Sequence, residues 1–366
     1  MNKQQTIISH FVLDGTVSVI SPLGNGLIND TFRVTTAEAS APDYVLQRIN
    51  HHIFRNVAQL QTNIEVVTRH IRRKLEQQGS SDIQRKVLRF LPTWDGPSYW
   101  QDEEGNFWRM MLFIPRSRTV ETVNPTYSEF AGEAFGHFQA MLADLPDRLE
   151  ETIPNFHNME FRLSQLQESI REDRAHRLPK VQALVDELLE QADSMCLAER
   201  LHREGRLPKR ICHCDTKVNN MLFDEEGHVL CVIDLDTVMP SYIFSDYGDF
   251  LRTAANTGRE DDPHLENVTF NMDIFRAFTR GYLRGAGSFL LPVEREHLPY
   301  AAMLFPYMQA VRFLTDYLHG DVYYKIAYPE HNLVRTQAQL QLFKSVQQHR
   351  EEMKDYIDQI QTPKMI

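Results

Sequence analysis

Apolar and polar positions divide the chain into two textures. Up to about residue 115 they alternate in short runs with strand character. Residues 17–36 carry such a run, broken at Gly24-Asn25-Gly26, and residues 44–49 read as a third strand. Leu60, Ile64, Val67, Ile71 and Leu75 recur at helical spacing and predict a helix over 56–77. Residues 87–91 and 107–114 read as two further strands, with 102–106 turning between them. From Asn124 onward the period becomes helical. Phe130, Ala134, Phe135, Phe138, Met141 and Leu142 form one stripe, Asn124-Pro125 offers a start, and Pro146 follows the end. Further helices are predicted over 180–199, 275–283, 301–318 and 332–352, with Pro306 kinking or starting the third of these. Two short apolar runs near 210–223 and 230–235 interrupt this helical part. The expected fold class is α+β, with a small β-rich N-terminal part and a larger, mainly helical C-terminal part. No internal repeat or long linker separates independent domains.

Composition changes this picture little. The chain has 366 residues, enough for two lobes with their own cores, and 42% apolar residues is ordinary for a globular protein. A net charge of −11 argues against a nucleic-acid partner. Residues 1–10 lack the apolar run of a signal peptide, and no stretch is long and apolar enough for a membrane span. Cys196, Cys212, Cys214 and Cys231 are expected to be reduced core residues of a cytoplasmic protein. In a strand, Cys212 and Cys214 face one side and His213 the other, which argues against a zinc site.

The richest chemistry lies between His213 and Asp236. The apolar runs on either side of Asp224-Glu225-Glu226-Gly227 predict a β-hairpin. A hairpin would bring Asp215 and Asn220 beside Asp234 and Asp236. Carboxylates so gathered repel, and a divalent cation resolves the conflict; hard oxygen donors of this kind suit Mg²⁺.

His213-x-Asp215-x-x-x-x-Asn220, followed by the hairpin and Ile233-Asp234, resembles the catalytic segment of protein kinases. It is more similar still to aminoglycoside phosphotransferases and choline kinases. The wider string to Pro240 resembles the N-acetylhexosamine 1-kinases of that superfamily. The resemblance implies a bilobal protein-kinase-like fold, with residues 1–115 as the nucleotide-binding lobe and 116–366 as the catalytic and substrate lobe. It implies ATP and Mg²⁺ as cofactors and transfer of phosphate to the anomeric hydroxyl of an N-acetylhexosamine. The partners implied are the sugar and the nucleotide alone, with no membrane or protein partner.

By the same resemblance Asp215 is the catalytic base, and Lys217 touches the transferred phosphate. Asn220, Asp234 and Asp236 hold the metal, Asp236 alternatively meeting sugar hydroxyls. Gly24, Asn25 and Gly26 form a turn over the nucleotide phosphates. Gln47 stands where kinases carry a strand Lys, with Arg48 next to it. Either Gln47 makes a polar contact or Arg48 reaches round, and Glu65 on the first long helix would pair with Arg48. Arg312, Asp316, Tyr317, Tyr323 and Tyr324 are the sugar-site candidates. Asp249 would brace the catalytic loop. Two other readings stay open. One is a kinase of an aminoglycoside, choline, homoserine or another sugar. The other is a nucleotide-binding scaffold without turnover, which Gln47 favours and the intact Asp215, Asn220 and Asp234 oppose.

Overall fold

The computed structural model describes residues 3–24, 29–121 and 123–360. Asn25 and Gly26 of the expected phosphate turn lie outside these residues. The chain forms two compact units. Unit 1 comprises the residues up to Val120, Asp144–Pro154 and Met221–Met239; unit 2 comprises Glu121–Ala143, Asn155–Asn220 and the residues from Pro240. Mixed α and β structure, with an antiparallel sheet early and helices later, is the fold class that the residue pattern predicts.

Unit 1 is built on five strands: β1 (Val17–Pro22), β2 (Asp30–Thr36), β3 (Tyr44–Ile49), β4 (Tyr99–Gln101) and β5 (Phe107–Leu112), in the order β1-β2-β3-β5-β4. Every neighbouring pair is antiparallel. Alternation sets the two faces. Tyr44, Leu46, Trp108 and Met110 share a core with Ile7, Ile8 and Phe11, the first two from the short helix α1 (Lys3–Ile8). Gln47 and Arg109 face each other across β3 and β5. The strand expected over 87–91 is reduced to a bridge between Phe90 and Met111, while three-residue β4, which has too short a pattern to read, pairs with β5.

The 102–106 turn is fixed by Asp102. Its carboxylate accepts the Glu104 and Asn106 backbone N–H groups and the indole N–H of Trp108, at 2.8–3.0 Å. Burial works against its charge. The Trp108 and Asn106 donors and the Lys3 ammonium outweigh burial and bring the carboxyl down to about 2.

Helix α2 (Val57–Gln77) starts on Asn56, whose side chain accepts the Gln59 N–H. Short α3 (Ile83–Lys86) follows. The predicted hairpin is present as β7 (Met221–Phe223) and β8 (Val229–Val232), counting β6 (Arg210–Cys212) of unit 2. Leu222 pairs with Cys231. Asp224 closes the turn by accepting the N–H groups of Glu226 and His228, and Gly227 takes the left-handed conformation there (φ 89°).

Unit 2 is mainly helical: α4 (Pro125–Leu142), α5 (Met159–Glu172), α6 (Leu178–Met195), α7 (Leu197–Arg203), α8 (Phe244–Ala254), α9 (Met272–Ala286), α10 (Pro292–Glu296), α11 (Leu298–His319), α12 (His331–Gln348) and α13 (Arg350–Gln359). Asn124 caps α4 as its sequence suggests, accepting the Tyr127 N–H at 2.9 Å. Pro306 lies inside α11. The predicted 180–199 and 332–352 helices are each two, broken at Cys196 and His349.

Helices α4 and α9 approach through glycines. A Cβ on Gly132 would stand 2.1 Å from the Phe278 carbonyl oxygen, and one on Gly281 would stand 2.0 Å from that of Glu129. Among the described residues no helix is long and apolar enough to cross a membrane.

Candidate functional site

In unit 2 the segment after β6 is held by α8 and α4. Asp246, fully buried, accepts the backbone N–H groups of His213 and Cys214 at 2.9 and 2.8 Å and the Gln139 amide at 2.8 Å. Thr216 adds two bonds, its hydroxyl to the Asp246 carbonyl and its N–H to Asp249. Cys214 sits at φ 63°, a conformation that costs energy for a residue with a Cβ and here is held by these flanking bonds. Burial pushes the Asp246 carboxyl above its ordinary value, with His213 and the backbone donors opposing. His213 stands edge-on to Phe135 and Phe138, and its Nδ1 accepts the Asp215 N–H. It is a brace of the loop.

This support aims Asp215 and its neighbours. Lys217 Nζ lies 2.6 Å from Asp215 Oδ1. Asn220 Nδ2 donates to the Asp215 carbonyl at 2.7 Å and to its carboxylate at 3.2 Å. Burial works to raise the Asp215 carboxyl, but Lys217, His213 and Asn220 outweigh it and hold it below its ordinary value. Lys217, disfavoured by burial, is raised by Asp215 and Asp249. The Asn220 amide is oriented through its nitrogen, which leaves its oxygen as the atom to offer a cation. An amide oxygen of this kind is a hard donor, of the type that suits Mg²⁺.

Unit 1 holds the residues around Asp234. Asp234 follows β8 in the left-handed conformation (φ 59°, ψ 59°), and a 3₁₀ turn, Leu235–Thr237, follows it. Asp236 is 2% exposed. Its Oδ2 accepts the Asn29 amide at 2.7 Å, and its Oδ1 lies 2.5 Å from Arg109 Nη1. Oδ2 is thus hydrogen-bonded by an amide, while Oδ1 is held by ion pairing and has no hydrogen-bond partner among the described residues. Helix α2 fixes the same loop through Asn63, whose amide donates to the Val238 carbonyl.

The nucleotide candidates are arranged differently from the expected Lys–Glu pattern. Gln47 donates to the Thr31 hydroxyl and accepts Arg109 Nε, both at 3.0 Å. Arg48 points to the opposite side of the strand and pairs with Asp30, and Glu65 is exposed on α2. Gly24 is left-handed (φ 72°) and ends the described part of its turn.

The sugar candidates separate into two groups. Arg312 packs over the rings of Phe156 and Tyr324, 5.5 and 5.6 Å from their centroids, and donates to Gln309. Arg162 belongs with it. It donates to the Phe156 carbonyl and Gln165, and burial and then Arg312 bring it down to about 10. Among the described residues neither arginine has a carboxylate partner. His157 stacks on Phe156, and its buried Nδ1 has no hydrogen-bond partner. Burial, then Arg312, Arg162 and Arg252, keep this imidazole neutral. Arg252 binds Asp249 and also acts on Lys217, so this aromatic and cationic cluster lies within electrostatic reach of Asp215's neighbour.

Asp316 does not pair with Arg312. It accepts the backbone N–H groups of Val322, Tyr323 and Tyr324 and the Asn332 amide, and so shapes the loop that carries both tyrosines. Tyr323 is 62% exposed. Tyr317 is buried beside Arg177 and Glu330, in a different group of partners.

Sequence reasoning missed Arg109, Asp246 and Arg162. Asp246 had a signal, its place in Ser245-Asp246-Tyr247-Gly248-Asp249 directly after the motif. Arg109 and Arg162 are single charges in ordinary elements and gain meaning only from partners distant along the chain.

Solved structures share the fold. An aminoglycoside phosphotransferase from Alicyclobacillus acidocaldarius superposes with a TM-score of 0.58 at 16% identity, covering 97% of this chain and 96% of its own. An amicoumacin kinase, in complex with AMP-PNP and Ca²⁺, gives 0.58 at 14% identity over 97% and 94%. A choline/ethanolamine kinase family protein from Mesorhizobium loti gives 0.52 at 18% identity over 93% and 94%. The model of the phosphotransferase enzyme family (APH) matches residues 19–297, the greater part of the chain, and the protein belongs to that family.

Proposed function

We propose that the protein is an ATP- and Mg²⁺-dependent kinase of the cytoplasm. Its acceptor is the anomeric hydroxyl of an N-acetylhexosamine, N-acetylglucosamine or N-acetylgalactosamine, and its product is the sugar 1-phosphate. Residues 1–115 serve the nucleotide and 116–366 the catalytic loop and the sugar. The names of the solved relatives, kinases of small hydroxyl-bearing molecules, support the general reaction.

Phosphoryl transfer asks for positioning and charge neutralisation more than for covalent chemistry. Asp215, ionised through Lys217 and Asn220, orients the sugar O1–H and accepts its proton. As the O1–P bond forms, the bond from the γ-phosphorus to the bridging oxygen breaks and ADP leaves. Lys217 stands beside Asp215 to meet the phosphoryl oxygens. Asn220 and Asp234 would hold Mg²⁺, which neutralises charge on the nucleotide phosphates. The anomeric hydroxyl is more acidic than an ordinary sugar alcohol, so a carboxylate of low basicity suffices.

One observation carries the choice of acceptor. Among the described residues Arg312 and Arg162 have no counter-carboxylate; Arg312 lies over the aromatic faces of Phe156 and Tyr324, Arg162 binds the Phe156 carbonyl, and the buried Nδ1 of His157 beside them has no hydrogen-bond partner. Such a cluster repels the cationic groups of an aminoglycoside or of choline. Its unused hydrogen-bonding capacity and aromatic faces suit a neutral ring bearing hydroxyls and an acetamido carbonyl.

ADP release separates these readings. N-acetylglucosamine and N-acetylgalactosamine are expected to support turnover. Their 1-O-methyl glycosides, with the anomeric hydroxyl blocked, are expected to support none, nor are kanamycin and choline. Turnover of a methyl glycoside would refute anomeric transfer, and turnover of kanamycin or choline alone would establish the other acceptor class.

A further inference from the structure

The cation that kinases place on their third strand is missing from β3, where Gln47 stands. One strand further across the sheet, directly opposite Gln47, lies Arg109. It is 2% exposed. Its Nε donates to Gln47 Oε1 at 3.0 Å and its Nη1 to Gln61 Oε1 on α2 at 3.2 Å, and Nη1 also lies 2.5 Å from Asp236 Oδ1. One guanidinium thus joins the sheet, the first long helix and the loop after Asp234.

We propose that Arg109 is a positioning residue for the metal-binding loop. By holding Asp236, and through it Asn29, it sets the backbone that presents Asp234. The inference rests on the reading of Asp234 as a Mg²⁺ ligand.

Side-chain chemistry explains the residue types. A buried guanidinium needs a counter-charge, and its planar fork can serve several acceptors at fixed angles, which an ammonium does not do. Gln47 and Gln61 are neutral, so they satisfy N–H groups without competing for the charge, and Asp236 supplies it. A Glu in place of Gln61 would pull the guanidinium towards the helix and away from the loop. The same arrangement explains Gln47, the feature that most favoured a scaffold without turnover. Gln47 carries Arg109 instead of replacing a lysine. Asn29 follows the glycine turn and binds the other oxygen of Asp236, so the start of β2 is tied to the same carboxylate.

Isothermal titration with AMP-PNP, with and without Mn²⁺, tests this on the whole chain. The variants are Arg109→Gln, Asp236→Asn, the double variant, and Asn29→Ala, which disturbs the same carboxylate without leaving a buried charge unpaired. Outer partners of metal ligands typically contribute about 10–100-fold to metal affinity. Each single variant is expected to weaken Mn²⁺-dependent binding by about that range, with metal-free AMP-PNP binding unchanged. The double variant is expected to be no weaker than Arg109→Gln alone.

Loss of metal-free binding in every Arg109 variant would overturn the inference in favour of direct phosphate contact. A fall in Tm with Mn²⁺ dependence intact would overturn it in favour of a core residue. If Arg109→Gln fails to fold, Asn29→Ala and Asp236→Asn decide, and unchanged Mn²⁺ dependence in both overturns it. Absence of any metal-dependent binding in the parent protein would instead defeat the reading of Asp234.

Discussion

Asp215→Asn is expected to lower kcat by about 10²–10⁴-fold, the range a positioned general base contributes. Nucleotide affinity and Tm are expected to stay near those of the parent protein. The amide retains size and can still accept Asn220's hydrogen bond, but it takes no proton. Steady-state kinetics and a thermal melt check this together. The same site predicts a pH profile. Lys217, His213 and Asn220 hold the Asp215 carboxyl below its ordinary value against the effect of burial. The proposed base is therefore ionised throughout neutral and mildly acidic pH. The acid limb of kcat/KM is expected below the ordinary carboxylate range, and removing the neighbouring charge in Lys217→Met is expected to move that limb upward. A limb near pH 6–7 in the parent protein would assign the base to another group.

Gly281→Val is expected to destabilise unit 2 by on the order of 3 kcal/mol or more, at the upper end of overpacking costs. Even the first atom of the new side chain would stand 2.0 Å from the Glu129 carbonyl oxygen and 2.9 Å from the Glu133 backbone nitrogen. The obstruction is backbone, which cannot rotate aside, so α4 and α9 would have to part. Urea unfolding measures the loss, with Gly281→Ala expected to fall between parent and valine variants. A midpoint unchanged in both variants would contradict the close approach.

The effect should reach catalysis in any variant that still folds. Tyr282 on α9 donates to Gln139 on α4 at 2.6 Å, and Gln139 donates to Asp246, which holds the His213 and Cys214 N–H groups. Moving α9 loosens the loop that carries Asp215, so kcat of Gly281→Ala is expected to fall more than its nucleotide affinity.

Elements governed by local pattern were legible in the residues. The alternation of β3, the period of α2, the Asn124 cap and the Asp224–Gly227 turn each depend on neighbours a few positions away. The Asp215–Asn220 motif is legible for the same reason, because one short loop holds both residues.

Distant partnerships were not legible. Arg109 reads as one polar position in an apolar strand, yet its partners are Gln47, Gln61 and Asp236. Asp316 sits at the right spacing to pair with Arg312 on α11. Three backbone N–H groups of the following loop compete for it and win, since an ionised carboxylate gains most from several convergent donors. The close approach at Gly132, Gly136, Gly281 and Gly285 was likewise not read from the residues, because its meaning comes from the backbone of the partner helix.

The reading as a sugar 1-kinase is tested most directly by ³¹P NMR of the product formed from ATP, Mg²⁺ and N-acetylglucosamine or N-acetylgalactosamine. The predicted result is a new phosphate monoester resonance coupled to the anomeric proton, absent with Asp215→Asn. A phosphate coupled instead to the C6 methylene protons, or a monoester formed only on an amine-bearing acceptor, would contradict it.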